Sequence, residues 1–142
     1  MWILDVVSNA GKMSSIQVAI LMEFAKSGSE PKKIPEIIAV LEEVFKDIWK
    51  PKKGTIYPAI HQLALKGYLK MHAVQPYGYS ITENGLNIIN EVIKNINLQM
   101  ESYMQYYTYI LKSYSELNEQ KAKEISSEII KTINTKIKQF SI

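Results

Sequence analysis

The 142-residue sequence has no cysteine, no arginine and only two histidines. Without cysteine, disulfides, thiolate nucleophiles and cysteine-based zinc sites are excluded. All 17 basic residues are lysine. Lysine can hold a phosphate as a point charge, but the planar bidentate reading of guanine by arginine is not available. His61 and His72 have no carboxylate at metal-ligand spacing, and there is no phosphate-cradling glycine loop or nucleophile–base motif. No catalytic residue, no metal and no cofactor is therefore expected. Long apolar runs are also missing. The opening M-W-I-L-D-V-V-S-N-A-G-K has an acid at position 5 and no basic n-region, and its apolar run is too short for a signal peptide or membrane span. A cytoplasmic protein with no membrane partner is expected.

At 46% hydrophobic and 22% charged residues, the composition is that of a globular chain able to bury a core, as one domain or a small domain with an appendage. A more telling absence is local. Residues 48–82 contain five lysines (Lys50, Lys52, Lys53, Lys66, Lys70) and no acid, whereas residues 1–47 carry five lysines against seven acids and residues 83–142 seven against seven. The positive charge sits in one place, which points to a polyanion as partner.

The pattern along the chain is mostly α with a small β-hairpin. Residues 1–12 read as an N-terminal arm or short helix, with Trp2, Ile3, Val6 and Ala10 on one face. Ser14 or Ser15 caps a first helix whose buried face is Ile16, Ala19, Ile20 and Phe24, ending near Gly28. A second helix runs from about Lys33 to Phe45, with Ile34, Ile37, Ile38, Leu41, Phe45 and Ile48 at helical spacing and Pro35 in its first turn. A third opens at Gly54-Thr55 with Thr55 as cap, which places Pro58 in the first turn, where no intrahelical bond is lost. Ile56, Ile60, Leu63 and Gly67 point one way on it. Pro58, His61, Gln62 and Leu65 point the other, flanked by Thr55 and Tyr57.

After Gly67 the period changes to two. Leu69, Met71 and Ala73 alternate with Lys70 and His72, Q-P-Y-G makes a turn, and Tyr79-Ser80-Ile81 returns. Lys70 and His72 are expected on the solvent face. Three helices followed by a hairpin make a winged helix-turn-helix over residues 13–82. Residues 83–142 form a C-terminal helical region. From Leu86, an unbroken seam of Leu86, Ile89, Ile93, Ile96, Met100, Tyr103, Tyr107, Ile110, Tyr114 and Leu117 follows 3-4 spacing. A last helix over 119–140 carries Ala122, Ile125, Ile129, Ile133, Ile137 and Phe140. The seam needs a covering partner, either its symmetry mate in a homodimer or the last helix of the same chain. The aromatic and Met stripe of Met100, Tyr103, Met104, Tyr106, Tyr107, Tyr109 and Tyr114 reads as packed seam or as a pocket for a flat apolar ligand.

The stretch W-K-P-K-K-G-T-I-Y-P-A-I, Trp49 to Ile60, resembles the recognition-helix motif of PadR-like winged-helix transcriptional regulators. Y-S-I-T-E-N-G, Tyr79 to Gly85, resembles the end of that family's wing and the start of its next helix. The resemblance covers roughly residues 13–95. It implies a regulator whose third helix docks in the major groove of double-stranded DNA, and it adds a small aromatic effector to the partners. The hairpin turn is shorter and less basic than that family's, so wing-tip contacts to DNA are not among what carries over.

The expectation is a sequence-specific DNA-binding transcriptional regulator, a dimeric repressor on a palindromic operator. Lys50, Lys52 and Lys53 supply phosphate contacts, with Lys32, Lys33, Lys66, Lys70 and His72 around them. Thr55, Tyr57 and Pro58 lie against the backbone, and His61 and Gln62 reach base edges. A protein-interaction scaffold and a non-specific architectural DNA-binding protein are the alternatives.

Overall fold

A computed structural model describes residues 5–8 and 11–142, with side chains described from Met13 onward. Asp5–Ser8 (β1) and Gly11–Ser14 (β2) are antiparallel strands, Asp5 opposite Ser14 and Ser8 opposite Gly11. The short helix expected over residues 1–12 is therefore corrected where the chain is described. Four apolar residues over so short a span cannot offset helix nucleation, and the β-branched pair Val6-Val7 suits an extended backbone. Trp2, Ile3 and Ala10 lie outside the described residues.

Helix α1, Ser15–Lys26, starts with a reciprocal cap. The Ser14 hydroxyl accepts from the Gln17 N–H and the Gln17 side chain accepts from the Ser14 N–H, both at 3.2 Å. Its face of Ile16, Ile20, Leu21 and Phe24 is buried. Helix α2, Ile34–Val44, has Pro35 in its first turn and the Glu36 carboxylate accepting from the Lys33 N–H at 2.8 Å. Ile37, Ile38 and Leu41 face the core. Ile48, expected to extend that stripe, is 71% exposed. The chain turns after Val44, and the N–H groups of Ile48 and Trp49 both donate to the Phe45 carbonyl.

Helix α3, Lys53–Leu65, buries Ile56, Ile60 and Leu63 completely. Each such side chain contributes about 1.5–3 kcal/mol of burial free energy. After Gly67, which has a φ of +82°, the chain forms β3, Leu69–His72, and β4, Gly78–Ile81, paired antiparallel with Leu69 opposite Ile81 and His72 opposite Gly78. The backbone of Lys32 exchanges two hydrogen bonds of 2.8 Å with Tyr79. This clamps the connection between α1 and α2 onto β4 as a short extra strand. The ring of Tyr79 meets the edge of Phe24 at 6.5 Å, inside a core that joins α1, α2, α3, the hairpin and Ile88 and Ile89 of the next helix. The architecture is a winged helix-turn-helix with long C-terminal helices.

Helix α4 runs unbroken from Glu83 to Ser115, about 50 Å of helix. A turn over 116–118 leads to α5, Glu119–Lys136, capped by the Asn118 side chain accepting from the Lys121 N–H, and then to a 3-10 turn, Ile137–Phe140. The chain divides into two compact units, Met1–Ile96 and Asn97–Ile142, so the first unit extends past residue 82 into α4. No helix among the described residues is long and apolar enough to cross a membrane.

Gly85, in the first turn of α4, sits against Tyr68, in the connection between α3 and β3, and Ile81 of β4. A Cβ there would lie 2.4 Å from the Tyr68 carbonyl oxygen and 2.7 Å from Ile81 Cγ1, whereas a Cβ at Gly54 meets nothing within 4 Å. Gly85→Ala is expected to destabilise the fold by about 2–3 kcal/mol, because a backbone atom has to move. Gly54→Ala, in an open helical position, is expected to leave stability unchanged or raise it by up to about 1 kcal/mol. Urea denaturation of both variants checks the contrast, and equal effects would overturn it.

Candidate nucleic-acid interface

The acid-free stretch is built by alternating anchors and lysines. Trp49 packs edge-on against Phe45 at 6.1 Å and joins the core, Pro51 is buried, and Lys50, Lys52 and Lys53 between and after them are exposed. Two apolar anchors thus hold three cations on one short run of backbone, which leads straight into α3. The helix begins one turn earlier than the cap preference of threonine suggests. Lys52 is its N-cap, and its carbonyl accepts from the N–H groups of Thr55 and Ile56. The assignment of Thr55 as cap is corrected accordingly. Packing of Trp49 and Pro51 decides where the chain turns, and overrides the side-chain preference.

This shift also corrects the position of Pro58, which lies inside the helix. Having no N–H, it cannot donate to the Gly54 carbonyl. Thr55, Tyr57, Pro58, His61 and Gln62 are exposed on α3, whose Ile56, Ile60 and Leu63 face the core, and Lys66 is exposed at its C-cap. The structure therefore brings Lys50, Lys52, Lys53, Thr55, Tyr57, Pro58, His61 and Gln62 onto one solvent-facing strip. Lys33 is exposed at the cap of α2. Lys32 is half-buried, its backbone taken up by the bridge to Tyr79.

On the hairpin, Lys70 is exposed as expected. His72 is not on an open face: it is half-buried, with Nε2 2.7 Å from the Ser80 hydroxyl, and Ser80 is itself buried. Met71, expected inward, is exposed. Gly54 was not singled out by sequence reasoning. Its φ lies outside the left-handed region and a Cβ would meet nothing, so the fold does not require glycine there. A glycine without a structural duty beside two lysines leaves room for a group from outside to approach the backbone.

The seam of α4 divides in two. Ile89 is buried in the core of the first unit, so its assignment to a dimer surface is corrected. Leu117 lies past the end of α4, in the turn. Leu86, Ile93, Ile96, Met100, Tyr107 and Ile110 are exposed, and Tyr103 and Tyr114 half-exposed. On α5, Ile129 and Ile133 are exposed as well, with only Ala122 buried, and Ile137 and Phe140 are exposed on the 3-10 turn that follows. Within the second unit, most of the apolar face of both helices stays exposed. A groove of about 350 Å³ at the turn is lined by Leu111, Ala122, Lys112, Lys123, Glu116 and Glu119 among others, and by none of the tyrosines.

The fold is shared with a transcriptional regulator from Clostridium thermocellum, at 18% identity, over 64% of this chain and 88% of that one, with a TM-score of 0.54. It is also shared with a complex of RosR from H. salinarum, at 17% identity, over 77% of this chain and 96% of that one, with a TM-score of 0.50. No family model and no curated protein sequence matches the chain.

The strip is held in place through Thr82. Its hydroxyl donates to the Gly67 carbonyl at 2.6 Å and accepts from the Gly85 N–H at 3.1 Å, while its own N–H donates to the Tyr68 carbonyl at 3.0 Å. Thr82→Ala removes both side-chain bonds and is expected to cost about 1–2 kcal/mol. Thermal or denaturant unfolding measures it, and Thr82→Ser should recover most of the loss. A serine variant as unstable as the alanine one would assign the effect to the lost methyl group instead.

Proposed function

We propose that this chain is a sequence-specific, double-stranded DNA-binding transcriptional regulator that acts as a homodimer and represses by covering a promoter. The observation that carries the reading is the strip on and before α3. Three lysines, a hydroxyl, a phenol, an imidazole and an amide are exposed together, in a stretch without an acid. Lys50, Lys52 and Lys53 release counterions on meeting phosphates. Thr55 and Tyr57 fix the helix on the backbone, and His61 and Gln62 reach base edges in the major groove. Gly54 leaves the start of the helix open to close approach. The shared fold with a transcriptional regulator is in keeping with this.

The exposed seam of α4, from Ile93 to Ile110, supports pairing with a second copy, and two-fold pairing suits a palindromic operator. The exposed rings of Tyr106 and Tyr107, edge to face at 5.4 Å, offer one wall for a flat aromatic effector once a partner closes the other side.

Binding of the full chain to fragmented genomic DNA across a salt series, with sequencing of what stays bound, tests the reading. Enrichment of an inverted repeat with half-sites about 34–36 Å apart is expected. No binding at low salt would overturn it in favour of an interaction scaffold, and binding without enrichment in favour of an architectural protein. Lys52→Ala and Lys53→Ala are each expected to weaken binding to every duplex and to lower the salt slope by about one unit. Gln62→Ala should relax discrimination at one base position, by about 1–3 kcal/mol. Ile96→Glu, on the exposed seam, is expected to yield a monomer in sedimentation at concentrations where the parent chain is dimeric, and an unchanged mass would remove the seam from the interface.

A further inference from the structure

Helix α3 carries two side chains that its own fold does not call for. Pro58 lies inside the helix, where it has no N–H for the Gly54 carbonyl. A proline there lowers helix stability, and this one is exposed, so no core packing offsets the loss. Leu65, the last residue of the helix, is 86% exposed. Gln62, between them, is exposed as well. At about 100° per residue, Pro58, Gln62 and Leu65 fall within about 60° of one another. About 10 Å of helix axis separates the first from the last. One line along α3 therefore runs apolar ring, amide, apolar side chain. None of the three is charged, and the chain has no arginine to hold a guanine by two bonds.

We infer that Pro58 and Leu65 read thymine 5-methyl groups, on either side of an adenine held by Gln62, so that α3 selects a short run of A·T pairs. This rests on the DNA-binding reading of α3 and adds which bases the helix takes. Thymine alone among the four bases shows a methyl group on its major-groove edge. Adenine alone sets an N7 acceptor beside an N6 donor, the pattern a glutamine amide meets with two bonds. A G·C pair shows only donors and acceptors there. Set against Pro58 or Leu65, those groups lose water and gain no partner. The spacing agrees, because about 10 Å spans about three base steps of 3.4 Å. A proline ring also has no rotamers to lose on contact. The helix thus gives up one hydrogen bond for a fixed apolar surface, one turn from Gly54, where a Cβ would meet nothing.

Anisotropy titrations of the full chain on two labelled duplexes, alternating A·T and alternating A·U, test this. Deoxyuridine pairs as thymine does and lacks only the 5-methyl group. Burying one methyl is worth about fourfold in affinity, so with two the parent chain is expected to bind A·T about tenfold more tightly than A·U. Pro58→Ser should lower that ratio to about fourfold, and Pro58→Ser/Leu65→Ser to about one. The salt slope should not change, because no lysine is touched. Pro58→Ser regains the helix N–H, so its melting temperature is expected to rise while discrimination falls. A lower melting temperature would mean that the fold needs the proline, and would remove the premise. Equal affinity of the parent for both duplexes, with normal salt dependence, would overturn the methyl reading and leave the α3 reading standing. A preference that survives in the double variant would overturn it too. No binding to either duplex at low salt would remove the DNA reading itself, and this inference with it.

Discussion

One threonine hydroxyl joins the parts that have to keep register. Thr82 donates to the Gly67 carbonyl just past α3 and accepts from the backbone that starts α4, while its N–H closes the hairpin onto Tyr68. Three elements therefore meet at one residue, and Gly85 near it has no room for a Cβ. Helix α3 cannot rotate without disturbing the start of α4. A solvent-facing strip is useful for recognition only if its helix is fixed, and this junction together with the fully buried Ile56, Ile60 and Leu63 fixes it.

The same economy shows in the lysines. Each of Lys50, Lys52 and Lys53 has a long flexible stem that would scatter its charge, but the backbone beneath them is pinned by Trp49 and Pro51. Cation placement is thus a packing result. On the DNA-binding reading proposed above, the lack of arginine makes every contact to phosphate a single-point one, and discrimination falls to the uncharged side chains of α3 and to shape.

Much of this was legible in the sequence because it is local. The stretch Trp49–Gly67 announced its helix, its buried face and its cations, and Tyr79–Gly85 announced the end of the hairpin and the start of the next helix. What escaped depends on contacts between distant residues. The start of α3 was misplaced because a cap preference is weaker than the packing of two anchors upstream. His72 was placed in solvent because strand alternation says nothing of a side-chain bond to Ser80 across the hairpin. Ile89 was counted into the seam because its spacing is the same as that of Ile93, and periodicity does not say which surface covers which residue. The strand at Asp5–Ser8 was missed because four residues give no usable period. Gly54 carries meaning only once the space around it is known to be empty.

Helix α4 leaves a long row of isoleucine, methionine and tyrosine side chains in water, and α5 adds more. Apolar surface left in water is a standing free-energy cost, recovered only when another surface covers it. If the second copy proposed above is what covers it, the stability of the second unit is not a property of the single chain: the melting temperature becomes a function of concentration, and abundance in the cell sets how much of the chain is folded and competent at any moment.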